Sequence, residues 1–286
     1  MPINHNPTIR QRRLARRLRD LRVAAGLKHA DVARVFESAE SKISRIEGGQ
    51  SGIRLPDLRA LLDAYGVTNP AERADIETLS RNARKKGWWS RYSNAVDSEY
   101  GSFAAVESDA IELYNVQTSL IPGLLQTPEY TQALIELQVP DATPEHVTAQ
   151  REVRAERRNV LTKPTPVQFW GIVAESVLYH QVGGKKVMSE QLDALIEDSR
   201  MPNVQLQVLP QDDPMNACLY GPFVIMSFAS TAETDIVYTE SPTSTVYYEE
   251  TPDVDSYTTL FRRLNMAASS VTKSRALIAD ALKEMS

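Results

Sequence analysis

Residues 27–49 constrain this chain more than any other stretch. Two short runs with helical spacing, Ala30 to about Phe36 and Glu40 to about Glu47, are joined by a turn around Glu37–Ala39. Val32, Ala33 and Phe36 give the first run an inward face, and Ile43 and Ile46 do so for the second. Ala33 is small where two steeply crossing helices come closest. Gly48-Gly49 stops the second run. Helices this short, joined this tightly, match the helix-turn-helix arrangement, whose later helix enters a major groove.

The flanks complete a small helical core. A first helix is expected from about Thr8 to Ala25, with Leu14, Leu18 and Leu21 as its buried stripe and Gly26 at its end. Arg12, Arg13, Arg16, Arg17 and Arg19 lie around its other faces and read as a solvated surface. Pro56 opens a fourth helix with Leu58, Leu61, Leu62 and Tyr65 inward, and a fifth is predicted over Pro70 to Lys86.

Charge divides the chain at about the same place. The net charge of −5 argues against a nucleic-acid partner only if it is averaged. Residues 1–90 hold 18 of the 32 Lys/Arg and 10 of the 37 Asp/Glu, which leaves 14 against 27 for the remainder. A basic third joined to an acidic remainder is the asymmetry of a nucleic-acid module fused to a second domain, and 286 residues is long enough for both.

From Leu14 to Val67 the chain resembles the XRE/Cro/C1-type helix-turn-helix regulators. The matching runs are Leu27-Lys28-His29-Ala30-Asp31-Val32-Ala33 and Ser41-Lys42-Ile43-Ser44-Arg45-Ile46-Glu47-Gly48-Gly49. The resemblance implies a five-helix, lambda-repressor-like domain that reads bases with Glu40, Ser41 and Arg45. An arginine can pair bidentately with a guanine edge, and a glutamate can accept from a cytosine amine. Lys42, Ser44 and His29 suit phosphate contacts, which position without specifying. Arg22 and Glu47 occupy the family's structural pair. Glu37 stands where the family usually has glycine, in a position that tends to need left-handed backbone; either the turn is strained there or its geometry differs.

After Lys85-Lys86-Gly87 the pattern changes. The expected division is residues 1–86 and 87–286, with 87–102 as a junction whose Trp88-Trp89 packs domain against domain. A helical pattern is expected from Phe103 to Tyr114, charged helix from Gln150 to Val160, and helix again from Gln191 to Asp198. Strands are expected at Val167–Val173, Val204–Leu209, Phe223–Phe228, Ile236–Tyr238 and Ser244–Tyr248. Helix returns from Pro252 and from Val271 to Met285. The predicted class is therefore α+β, with a mostly antiparallel sheet in the second domain.

The run Asn115 to Tyr130, with Ile121-Pro122-Gly123-Leu124-Leu125-Gln126-Thr127 at its centre, resembles the actinobacterial WhiJ-like regulators that fuse a helix-turn-helix to a DUF5753 domain. The likeness continues through Phe169-Trp170, Glu175, Met201–Pro210, Gly221-Pro222-Phe223-Val224 and Asp235–Glu240. It implies a small DUF397-type protein partner, with antitoxin-like neutralisation as an alternative.

No catalysis is expected. The sequence lacks His-x-x-x-His and Cys-x-x-Cys spacings, Gly-x-Ser-x-Gly and the phosphate-cradling glycine-lysine loop. No metal or other cofactor is called for. Gly183-Gly184-Lys185-Lys186 reads as a turn before a helix, and His180 as a satisfied surface residue. Trp170, Glu175, Tyr238 and Tyr248 are the candidate lining of a small-molecule effector pocket. Cys218 alone allows no disulfide, and neither a signal-peptide core nor a membrane-length apolar run occurs, so a cytoplasmic protein is expected. One recognition helix reads few base pairs, so a homodimer on pseudo-palindromic duplex DNA is expected.

Overall fold

The computed structural model describes residues 7–85, 87–92, 96, 98–229 and 234–285. Contacts group the residues up to Ser90 with Ser98–Val106 in one unit, and Glu107–Ala229 with the residues from Thr234 in another. The first unit thus extends past residue 86, the expected boundary. Lys86 itself and residues 93–95 and 97 of the expected junction lie outside the described residues.

The first unit contains α1 (Ile9–Ala24), α2 (His29–Val35), α3 (Glu40–Glu47), α4 (Leu55–Ala64), α5 (Pro70–Arg84) and the first part of α6 (Ser98–Asp109). Thr8 caps α1 reciprocally: the Gln11 N–H donates to Thr8 Oγ1 (3.3 Å) and the Thr8 N–H to Gln11 Oε1 (2.8 Å). Leu14, Leu18, Val32, Ala33, Ile43 and Ile46 close one core with the apolar stripes of α4 and α5. The α2–α3 turn passes through Glu37 at φ 45°, so the left-handed position is present and a non-glycine residue holds it. Gly49, at φ 71°, follows α3 where a Cβ would press on Pro7, so space and conformation both select glycine there. Trp89, expected to pack domain against domain, has partners inside this unit. The Arg10 guanidinium lies 5.5 Å over its ring, and Gly101 leaves no room for a Cβ beside the indole.

The second unit is built on one six-stranded mixed sheet. Its strands are β1 (Glu112–Gln117), β2 (Gln168–Ala174), β3 (Val204–Leu209), β4 (Phe223–Ser227), β5 (Ile236–Ser241) and β6 (Ser244–Tyr248), in the order β3-β2-β1-β4-β5-β6. β1, β2 and β3 run parallel, and the three ladders from β1 through β4 and β5 to β6 are antiparallel. α7 (Pro128–Gln138) and α8 (Pro144–Arg157) lie in the β1–β2 connection, and α9 (Gly184–Asp198) in the β2–β3 connection. Parallel neighbours require such helical crossovers. α10 (Thr251–Ala267) buries Phe261 and Leu264 with Val116, Ile172, Ile225 and Val237 of the sheet, and α11 (Val271–Met285) follows it.

The expected helix from Phe103 to Tyr114 is two elements. Helix α6 ends at Asp109, and β1 begins at Glu112. The spacing of Ala110, Ile111 and Tyr114 fits a helix over so short a run, but Tyr114 in fact sits on the α10 side of a central strand. No helix among the described residues is long and apolar enough to cross a membrane.

Candidate nucleic-acid interface

Helix α3 separates its side chains cleanly. Ile43 and Ile46 are buried, while Glu40, Ser41, Ser44 and Arg45 are exposed on the other side. Arg45 Nε reaches back to the Ser41 carbonyl (3.4 Å), which lays the guanidinium along the outer face. Lys42 is half-exposed, with Nζ 3.7 Å from Asp57 on α4. An outward serine, an arginine and a carboxylate within two turns can address base edges once the helix lies in a groove.

The inner end of α3 is anchored at Glu47, whose side chain is buried. Arg22 Nε donates to both of its oxygens (2.9 and 3.0 Å), and Arg22 Nη1 donates to the Leu27 carbonyl (2.7 Å). The Tyr65 hydroxyl donates to Glu47 Oε1 (3.1 Å). Burial, and then the charge of Glu47, push the ionisation of Tyr65 well up, so it remains a donor. His29 also departs from expectation. Its Nε2 lies 3.0 Å from Glu47 Oε2, so the ring that was expected to touch phosphate is a strut of this buried carboxylate. The first turn of α2 lies beside the last turn of α3, which brings the two together. Tyr65 was read only as an apolar helix position, and Glu47 is 18 residues away from both Tyr65 and His29.

Two family models match the chain: a helix-turn-helix domain at residues 13–76 and a domain of unknown function, DUF5753, at residues 100–280. The chain belongs to the DUF5753 family. It carries in front of that domain a helix-turn-helix, the architecture of DNA-binding regulators. No curated protein and no solved structure matches it.

The most distinctive block of the DUF5753 region, Ile121–Thr127, proves to be a clamp. Gln126 Nε2 donates to the Ile121 carbonyl (2.8 Å), and Gln126 Oε1 accepts from Arg154 Nη1 (2.8 Å). Gln191 of α9 is fully buried; it donates to the Leu125 carbonyl (2.8 Å) and accepts from the Thr127 N–H (2.7 Å). Arg158 Nη1 donates to the Leu124 carbonyl (3.0 Å). The carbonyls of Ile121, Leu124 and Leu125 and the Thr127 N–H of this irregular loop thereby gain side-chain partners, as burial demands. Nearby, Arg157 grips Glu107 with two bonds of 2.8 Å, their side chains 9% and 4% exposed.

The expected effector pocket does not assemble. Trp170 and Tyr248 share the α10 side of the sheet, where Trp170 packs edge-on against Phe261 and Tyr248 lies beside Tyr257. Tyr238 is paired with Val224 and Tyr247, and its side chain leaves the opposite face because Val237 takes the α10 side. Glu175 lies past the end of β2 and accepts the Gln211 N–H (2.8 Å). A side chain on the opposite face and another beyond the strand end cannot line a common cavity with Trp170 and Tyr248. His180 meets the Ser119 carbonyl at 3.0 Å and Cys218 is half-buried; α9 already begins at Gly184, so of the expected turn Gly183–Lys186 only Gly183 precedes the helix, as its left-handed N-cap. Among the described residues no group of His, Cys, Asp and Glu is placed to hold a metal ion.

Proposed function

We propose that this protein is a sequence-specific regulator of transcription that binds duplex DNA through α3, with Arg45, Ser41 and Glu40 at base edges and Lys42 and Ser44 at phosphates. The observation that carries the reading is the division of α3 into a buried apolar side and an exposed polar one, on a unit whose sequence is basic. Two heads on a pseudo-palindromic site, with half-sites about 10 bp apart, supply the affinity that one short helix lacks. The acidic second domain leaves the basic face as the landing surface. It carries no catalytic step and serves as the sensing and dimerising part, responsive to a small DUF397-type protein; this last assignment rests on the family resemblance.

Selection of bound sequences from a random duplex pool tests the DNA-reading claim. Enrichment of a two-fold symmetric site, with preference at one base position relaxed by Arg45→Ala, is expected. Recovery of an unenriched pool under low-salt and physiological-salt conditions alike overturns it.

A further inference from the structure

Of the two phosphate contacts assigned to α3, only Lys42 carries charge, and a carboxylate stands beside it. Lys42 Nζ lies 3.7 Å from Asp57 Oδ2, with 44% and 40% of the two side chains exposed. The separation is that of an ion pair and is too long for a hydrogen bond, so the contact is loose and open to water. A pair of this kind is exchanged for another partner at small cost.

Asp57 reaches Lys42 from the first turn of α4, which starts at Leu55 after Arg54 as N-cap. The helix dipole favours a carboxylate in a first turn, and that alone would account for an acid here. It does not account for the partner. Asp63, Glu72 and Glu77 pair with Arg73, Arg17 and Arg59, contacts that tie α1, α4 and α5 to one another. Asp57 instead pairs with a side chain of α3, four residues after Ser38 has closed the turn and on the helix that carries Arg45.

A negative charge in that place works against a polyanion. Non-specific binding consists almost wholly of lysine and arginine contacts to phosphates, each of which displaces counterions. While Asp57 neutralises it, Lys42 adds nothing to such an encounter. Once Arg45, Ser41 and Glu40 engage their bases, α3 is fixed at full depth and a phosphate is held against Lys42, which then exchanges its partner. Lys42 thus counts in the cognate complex and not elsewhere.

We propose that Asp57 is a positioning residue for DNA reading: it withholds Lys42 from phosphates until the bases match, and so widens the gap between cognate and other sequences while lowering overall affinity. The inference rests on α3 being the DNA-reading helix and deepens that reading.

Salt titrations of duplex binding test it, with the full chain on the selected duplex and on a scrambled duplex of the same length. Asp57→Asn keeps the shape of the side chain and removes its charge. It is expected to raise affinity for the scrambled duplex by about threefold at low salt. The slope of log K against log salt on that duplex should steepen by about 0.9, the signature of one added phosphate contact, and stay unchanged on the selected duplex. Asp57→Glu should keep the wild-type slopes. Lys42→Gln alone should flatten the slope by about 0.9 on the selected duplex only, a result that does not depend on how well the Asp57 variants fold. Combined with Asp57→Asn, it should abolish the steepening, which separates action through Lys42 from a general gain of positive charge. An unchanged slope for Asp57→Asn on the scrambled duplex, a steepening that survives Lys42→Gln, or equal flattening by Lys42→Gln on both duplexes overturns the proposal and leaves the DNA reading standing. Absence of binding to any duplex by the wild type overturns both.

Discussion

Two blocks of this chain are equally distinctive as sequence, and they behave in opposite ways. In Lys42–Gly49 the apolar residues turn inward and Ser44 and Arg45 are left facing water. In Ile121–Thr127 the polar atoms turn inward, where Gln126, Gln191 and Arg158 satisfy the loop's own backbone and Arg154 holds the Gln126 side chain. A motif can thus be distinctive because it touches something else or because it holds itself together. Burial of its polar atoms decides which.

Mutations can break that contrast, and the largest effect belongs to the clamp side. Arg157→Ala leaves Glu107 charged, buried and alone, so chemical denaturation should show a loss of about 3–5 kcal/mol. A loss below 1 kcal/mol would mean that water reaches Glu107. Next comes Gln191→Leu, which strands the Leu125 carbonyl and the Thr127 N–H. Each stranded group should cost about 1–3 kcal/mol of stability, read from the same unfolding curves, while DNA affinity per folded molecule stays as it was. Arg45→Ala should behave in the reverse sense. Its Tm should match the wild type, while affinity for the selected site falls by about 1–3 kcal/mol. An equal loss on every duplex would move Arg45 to the phosphate set. The smallest change is Glu37→Gly, which relieves the left-handed position and should raise stability by about 1 kcal/mol in thermal unfolding. A lower Tm would show that the Glu37 side chain contributes more than its backbone costs.

Legibility in the sequence followed the range of the forces involved. The five helices of the first unit could be read because caps, prolines and 3.6-residue spacing are local; α3 begins and ends at the expected residues, Glu40 and Glu47. The strand β3 was equally plain from the alternation of Val204 to Leu209. β1 was not, since six residues bordered by a helix carry too little pattern to separate the two periods. The parallel half of the sheet is a property of long connections, and no window of sequence contains it. The candidate site shows the same limit. The exposed side of α3 was visible, but His29 and Tyr65 converging on Glu47 were not. Tyr238 and Tyr248 look like neighbours in the sequence, yet the pairing of Tyr238 with Tyr247 sends them to opposite faces.

The Glu47 carboxylate has a mechanical consequence. Three donors hold it from three directions: Arg22 on α1, His29 on α2 and Tyr65 at the end of α4. A helix tethered by such a tripod can neither roll nor slide by itself, so its angle of attack is built in before any partner arrives. Any change in how α3 is presented would then have to move the whole head rather than re-aim the helix within it.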